Sequence, residues 1–352
     1  MRDVYLVVPD GIDDPARPSG GNTYDRHLRR ELGSQGWKVH ERAVAGFWDG
    51  PDASSLATLE GTLRQIPDDA VVLLDGLVAS NAPEVLQAQA GRLRLVVLVH
   101  MPLGHRPPED AVPQREGAAL GAATAIVTTS AWTRRRLVEL YELPEHRVHV
   151  AEPGAPAAEP ARGTEAGEAL LCVGAMSFEK GQDILLEALA SIAALPWHCT
   201  CVGSLDRDPA FAGDLRRRTL DAALGERVSF PGPLTGADLD RRYGSADLLV
   251  VASRVETYGM VVTEALARGL PVVAAEVGGV AEALGESPAG TRPGMLVAPE
   301  DPGALAAALS DWLADADLRT RLRQAAARRR ESLPSWSTTA AVVAAVLTEV
   351  AG

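Results

Sequence analysis

The sequence predicts an α/β protein built of two doubly wound, Rossmann-like domains that face a central cleft. Three observations predict it. Short β-branched runs alternate with longer helical patterns, the signal of parallel sheets covered by helices on both faces. These runs fall into two sets of six. Between the sets lies Pro153-Gly-Ala-Pro-Ala-Ala-Glu-Pro160-Ala-Arg-Gly163, rich in Pro and Gly and without periodicity, which reads as a linker. At 352 residues the chain is long enough for two domains of ordinary size.

In the first half, strands are expected near 4–9 (Val-Tyr-Leu-Val-Val-Pro), 38–44, 70–75 (Ala-Val-Val-Leu-Leu-Asp), 94–100 (Arg-Leu-Val-Val-Leu-Val-His), 125–130 and 148–152. In the second half they are expected near 168–174, 197–203, 228–231, 247–253, 271–276 and 294–298. The first domain is assigned to 1–155 and the second to 156–334. A last helix, 335–352, opens at Ser335-Trp336-Ser337 and carries a long face of Ala and Val. Ligands in open α/β sheets bind beyond the carboxyl ends of strands, so site residues should come from the loops that follow them.

The chain is 46% hydrophobic and 23% charged, enough to bury proper cores, and its formal charge of −13 argues against nucleic acid as a generic partner. Arg134-Arg-Arg136, Arg216-Arg-Arg218 and Arg328-Arg-Arg330 fall in helical patterns and read as solvated faces; membrane-surface association through the first is a weaker reading. Cys172, Cys199 and Cys201 lie in strand patterns and read as buried, inert thiols. No signal peptide is visible and no apolar run reaches about eighteen residues, so a reducing, cytoplasmic setting is expected.

The most informative stretch is Glu256-Thr-Tyr-Gly-Met-Val-Val-Thr-Glu264, which joins the strand run Leu248–Ala252 to a helical run from Met260. Two carboxylates eight positions apart bracket a glycine at the strand-to-helix turn. A helix starting near Tyr258 would leave the N–H groups of Gly259, Met260 and Val261 as orphan donors suited to an anion. It would also place Glu264 roughly 9 Å along the axis, at about 1.5 Å per residue. That spacing suits a ruler from diphosphate to ribose, with Glu256 on the other side of the turn. Lys180 sits at an expected helix start, where a cation is unfavourable with the helix dipole unless an anion lies nearby, and so points to a phosphate. His100 closes a buried strand ahead of Met101-Pro102. Gly20-Gly21-Asn22 forms a loop open to close backbone approach, with Asn22 as helix cap. No G-x-G-x-x-G opens the chain, which disfavours a nicotinamide cofactor. Asp206-Arg-Asp208, Asp238-Leu-Asp240 and Asp315-Ala-Asp317 match a D-x-D metal pattern, but three hits in one acidic chain carry no information, and no metal site is assigned.

The Glu256–Glu264 stretch resembles the E-x7-E element of the family 4 glycosyltransferases, the group 1 retaining enzymes of the GT-B fold. The likeness extends through Val173-Gly-Ala-Met-Ser-Phe-Glu-Lys180-Gly181-Gln182-Asp183, Val228-Ser-Phe-Pro-Gly232 with Tyr243, Ala246 and Asp247, Gly269-Leu-Pro271-Val-Val-Ala274 and Val277-Gly278-Gly279. The N-terminal half matches more loosely. The resemblance implies a metal-independent retaining transfer from a nucleoside-diphosphate sugar, UDP- or GDP-linked, to a hydroxyl of a small molecule or glycan. It implies no resident cofactor, an acceptor-side first domain, a donor-binding second domain, and a last helix that returns to the first. Lys180 and the Gly259–Val261 amides would face the diphosphate, Glu264 the ribose, and Glu256 and His100 the donor sugar; Gly20 and Gly21 would lie near the phosphates and acceptor, and Tyr258 in the nucleotide site. The family commonly has an arginine where this chain has Ala175; Arg254 is expected to substitute for it, the alternatives being a donor held less tightly or a modified reaction on the same scaffold. Phosphorylase or epimerase chemistry on the same fold, or a non-catalytic two-domain sugar-binding protein, are the alternatives.

Overall fold

The protein is described by a computed structural model covering residues 2–15, 18–105 and 112–352. Its strands form two six-stranded sheets, parallel throughout. The first contains β1 (Arg2–Pro9), β2 (Trp37–Val44), β3 (Val71–Asp75), β4 (Arg94–Val99), β5 (Ala125–Thr128) and β6 (Val148–Val150), in the order β2-β1-β3-β4-β5-β6. The second contains β7 (Ala169–Val173), β8 (His198–Val202), β9 (Val228–Gly232), β10 (Leu248–Val251), β11 (Val272–Ala275) and β12 (Gly294–Val297), in the order β12-β11-β10-β7-β8-β9. The strands match the sequence expectation to within a few residues at each end. Both sheets are doubly wound, so the fold is two Rossmann-like domains. Each has a topological switch point where the chain leaves in opposite directions: between β1 and β3 in the first, and between β7 and β10 in the second.

Helices on both faces explain why inner strands are apolar without alternation. Val72, Leu73 and Leu74 of β3 and Val96, Val97 and Leu98 of β4 are fully buried. In the second sheet, one face packs on Leu185, Leu189 and Trp312, the other on Tyr243, Val262 and Val280. Each large side chain removed from water contributes about 1.5–3 kcal/mol. Cys172, Cys199 and Cys201 are free and buried, and belong to β7 and β8.

The chain divides into two compact units. One comprises residues 1–14, Ser19–Gly154 and Pro334–Gly352, and the other Ala155–Leu333. Ala161 and Arg162 donate backbone hydrogen bonds to the carbonyls of Arg268 and Gly244, so this part of the Pro/Gly-rich segment is pinned to the second unit. The last helix, Trp336–Ala351, belongs to the first unit. Ser335 caps it, the Thr339 hydroxyl donates to the Glu152 carbonyl at 2.7 Å, and Trp336 stacks on His27 and meets Tyr24 edge-on.

In two of the arginine triplets, whose Arg135, Arg328 and Arg330 are exposed as expected, a guanidinium also reaches backbone carbonyls. Arg134 donates to the Val148 carbonyl and to Glu145, and Arg330 donates to the carbonyls of Ala267 and Ala158. A guanidinium satisfies several carbonyls left open at element ends, which a sequence pattern does not reveal. Among the D-x-D matches, Asp208 and Asp315 are helix N-caps, accepting from the amides of Phe211 and Leu318. No helix among the described residues is long and apolar enough to cross a membrane.

Candidate functional site

The second sheet's switch point gathers most of the residues singled out by sequence. β7 ends at Val173, and the chain runs through a short 3-10 turn, Phe178–Lys180, into the helix Gln182–Ser191. Gly181 joins them with φ +65, and a Cβ there would stand 2.0 Å from the Ala252 carbonyl oxygen, so both conformation and close approach require glycine. The Arg254 amide donates to the Glu179 carbonyl at 2.8 Å, tying this turn to the segment after β10. Lys180 and Glu256 are thereby brought together. The Lys180 ammonium lies 2.5 Å from Glu256 Oε1, which also accepts from the Ser253 hydroxyl at 2.9 Å. The anion foreseen beside Lys180 is, in this structure, a protein carboxylate. Glu256 is 7% exposed, so its charge depends on these two donors.

Beyond Glu256 the helix starts later than expected. It spans Met260–Leu266, with Gly259 as its N-cap at φ +92. That left-handed backbone lies outside the helix, so Glu264 stands about 6 Å from the first helical residue rather than 9 Å. Glu264 Oε2 accepts from the Tyr243 hydroxyl at 2.8 Å, and the Arg268 guanidinium covers the Tyr243 ring at 4.5 Å. Burial raises the Glu264 pKa, opposed by the Tyr243 hydrogen bond and the Arg268 charge. Met260 and Val261 are half-buried at the helix start. Tyr258 departs from its expected role: its side chain is 2% exposed and belongs to the core with Val262 and Val280.

Arg254 also departs from expectation. Its guanidinium holds Asp183 through both terminal nitrogens at 2.9 and 2.8 Å, donates to the Phe178 carbonyl at 2.7 Å and to Glu300 at 3.0 Å, and lies over the Phe178 ring. It is a brace for the Lys180 turn, not a free cation standing in for the arginine absent at Ala175. Proximity in sequence suggested the substitution; the carboxylate it reaches is 71 residues away. Arg254→Ala is therefore expected to loosen that turn, costing about 1.5–3 kcal/mol for a charged, largely enclosed pair. Nucleotide affinity should fall with the melting temperature, and Ala175→Arg should restore neither. Rescue of affinity by Ala175→Arg, measured by calorimetric titration, would return Arg254 to the phosphate clamp.

In the first unit, Gly20 and Gly21 are helical rather than loop residues. They open the helix Gly20–Glu31, whose cap is Ser19, accepting from the Asn22 amide at 3.0 Å; Asn22 is therefore inside the helix and not its cap. Gly21 faces His100, and a Cβ on it would stand 3.1 Å from the imidazole Cδ2. His100 follows β4 and turns Nε2 inward, to Asp25 Oδ1 at 3.0 Å and Asp75 Oδ2 at 3.5 Å. Tyr24 meets its ring edge-on and donates its hydroxyl to the Ala151 carbonyl. The sequence reading missed both aspartates. Asp25 lies on a polar helix stretch and looks solvent-facing, yet is fully buried. Asp75 gave a signal that went unused, since it closes an apolar strand just as His100 does. Asp25, Asp75 and His100 also have the ligand types of a metal site, their ligand atoms lying within 4.8 Å of one another.

The family model described as glycosyl transferases group 1 matches residues 160–329. Curated relatives include the D-inositol 3-phosphate glycosyltransferases of Salinispora tropica, 33% identical over 67% of this chain and 53% of that protein, and of Thermobispora bispora, 33% identical over 66% and 58%. The chain thus spans little more than half the length of these relatives. Among solved structures, sucrose-phosphate synthase from Thermosynechococcus elongatus superposes with a TM-score of 0.81 at 21% identity, covering 99% of both chains. Anabaena HepE in complex with UDP and glucose superposes with a TM-score of 0.79 at 16% identity, covering 99% of this chain and 100% of that one. At such identities these structures establish the shared fold, GT-B.

Proposed function

Because the chain belongs, through residues 160–329, to the glycosyl transferases group 1 family, we propose that the protein is a retaining glycosyltransferase. It moves a sugar from a nucleoside diphosphate to an acceptor hydroxyl without a resident metal. The observation that carries this reading is the Lys180–Glu256 pair, at 2.5 Å, set in the segments that follow the two strands flanking the second switch point. A diphosphate needs a cation there, and a sugar needs a carboxylate beside it. An arriving diphosphate draws the Lys180 ammonium from Glu256 and frees Oε1 to accept from a sugar hydroxyl. Charge building on the leaving group is met by an ammonium already in place, the kind of preorganised stabilisation that contributes most to such reactions.

The acceptor oxygen attacks the anomeric carbon on the face the diphosphate leaves. The carbon–oxygen bond to phosphate breaks, and the acceptor proton passes to the departing phosphate oxygen. Glu264 takes the ribose hydroxyls and His100 the donor sugar. UDP is the favoured nucleotide, supported by the complex of the structurally similar HepE with UDP-glucose.

The test is a panel of UDP-, GDP- and ADP-sugars, scored for nucleotide release and for anomeric configuration of the product by proton NMR. Product with retained configuration is expected. Thermal stabilisation by free sugar but not by nucleotide, without turnover, would identify a binding protein instead. Activity is also expected to persist in excess EDTA, since an ammonium meets the phosphates here. Loss in chelator, restored by Mg²⁺ or Mn²⁺, would overturn the metal-independent reading.

A further inference from the structure

We propose that Phe47, Leu77 and Met101 form a preorganised apolar platform for the acceptor, which is therefore a hydroxyl compound with an apolar, unphosphorylated body. The proposal rests on the transferase reading for the reaction, but not for the binding. Among the described residues of the first unit, the large apolar side chains left exposed are these three, at 67%, 39% and 46%, and Val342 on the last helix. Phe47, Leu77 and Met101 each lie two or three residues past the carboxyl end of a strand: β2, β3 and β4 in turn. That edge is where an open sheet holds its ligand. Large apolar side chains left in water there gain from an apolar surface that covers them.

Two buried polar side chains lock the three loops together. Asn81 donates its Nδ2 to the Trp48 carbonyl at 2.9 Å and to the Leu77 carbonyl at 3.3 Å. The loop after β2 thereby reaches past β1, which separates β2 from β3, to meet the short helix Gly76–Ala79. Glu116, on the helix Val112–Ala122, is fully buried. Its Oε1 accepts from the Ser80 hydroxyl at 3.0 Å, and its Oε2 from the Gly104 amide at 2.9 Å and the Tyr141 hydroxyl at 2.5 Å. One carboxylate thus ties the segment after Leu77 to the loop after Met101. Gly104 packs so closely on Tyr141 that a Cβ there would collide with the hydroxyl. An enclosed carboxylate is costly unless both oxygens are met, as they are here. The result is a fixed spacing for side chains that the core does not use. A surface ordered beforehand binds more tightly, because little is left to immobilise.

The charges around the row decide what covers it. Residues 45–52, 76–82 and 100–104 include no Lys or Arg, and Asp49 and Asp52 are acidic. The described arginines that come near are engaged. Arg115 donates to the Asn81 carbonyl and to both oxygens of Glu84, and Arg26 to the Ile12 carbonyl and the Thr23 hydroxyl. His100 turns Nε2 to Asp25 and Asp75. A phosphate is recognised by cations, so a phosphorylated acceptor is unmatched. A membrane surface draws basic flanks, which these loops lack. A glycan would set its hydroxyls against Leu77 and Met101, which have no donor to offer. Met101 adjoins His100, the proposed contact to the donor sugar. The reacting hydroxyl therefore sits at that end, and the body extends over Leu77 towards Phe47.

The test is NMR of protein labelled with ¹³C-methyl methionine, with Met101 assigned by its absence in Met101→Leu. The probes are 2-naphthol, uncharged at neutral pH, and glucose 6-phosphate. 2-Naphthol should shift the Met101 signal saturably, and glucose 6-phosphate should leave it in place. Phe47→Ser, at an exposed position of little cost to folding, should weaken naphthol binding by about tenfold, the order expected for withdrawing one apolar side chain from a contact. Glu116→Gln should weaken it too while leaving nucleotide affinity unchanged, a split that a general loss of stability would not produce. No saturable shift with 2-naphthol, in a protein that turns over a nucleotide sugar, overturns the proposal and leaves the transferase reading intact. So does a shift produced by glucose 6-phosphate or by phosphatidylcholine vesicles, which would identify a phosphate site or a membrane surface instead. Saturable naphthol binding in a protein that binds no nucleotide sugar supports the platform and sinks the transferase reading alone.

Discussion

Lys180→Ala should lower turnover by about 100- to 1,000-fold, the usual effect of removing one preorganised stabiliser of leaving-group charge. The same change strips Glu256, 7% exposed, of its ionic partner and leaves it with the Ser253 hydroxyl alone. Enclosing a carboxylate so poorly matched should cost about 1.5–3 kcal/mol of stability. Glu256→Ala should instead leave nucleotide affinity close to wild type and lower turnover, because its proposed contact is to the sugar. In the double variant the losses should fall short of additive, since each residue holds the other in place. Steady-state kinetics with a calorimetric nucleotide titration decide the matter. Lys180→Ala at wild-type turnover would remove the ammonium from the mechanism.

Glu264→Ala should weaken nucleotide binding by about 10- to 100-fold, the equivalent of a charged hydrogen bond worth about 1.5–3 kcal/mol. Its carboxylate is already oriented by the Tyr243 hydroxyl at 2.8 Å, so little ordering remains to be paid for when ribose arrives. Tyr243→Phe should show a fraction of the same loss, with turnover at saturating donor nearly unchanged. Nucleotide affinity equal to wild type in Glu264→Ala would end the assignment to ribose.

The fold was largely legible because inner strands such as β3 and β4 carry unbroken apolar runs, 71–74 and 95–99, bounded by Asp75 and Arg94. Lys180, Glu256 and His100 stood out for a related reason: each lies in the segment that follows a strand, where open sheets hold ligands, whereas Glu264 stood out by its spacing from Glu256. What escaped the sequence depended on backbone angle or on distant partners. The helix start at Met260 was misplaced because the left-handed Gly259 could not be inferred from its neighbours. Arg254 was assigned by nearness to Glu256, while its guanidinium reaches Asp183 and Glu300. Asp25 and His100 are separated by 75 residues, so no local pattern marks the pair.

The return of the last helix to the first unit has a consequence for the order of synthesis. Residues 1–14 and Ser19–Gly154 leave the ribosome early, yet their unit is closed by Pro334–Gly352, after the whole second unit has been made. Until Trp336 arrives, Tyr24 and His27 lack the ring that covers them, and Tyr24 in turn packs against His100. The first unit is thus completed only after the second has been made. Until then it carries an incomplete hydrophobic surface, the circumstance in which chaperones are most needed.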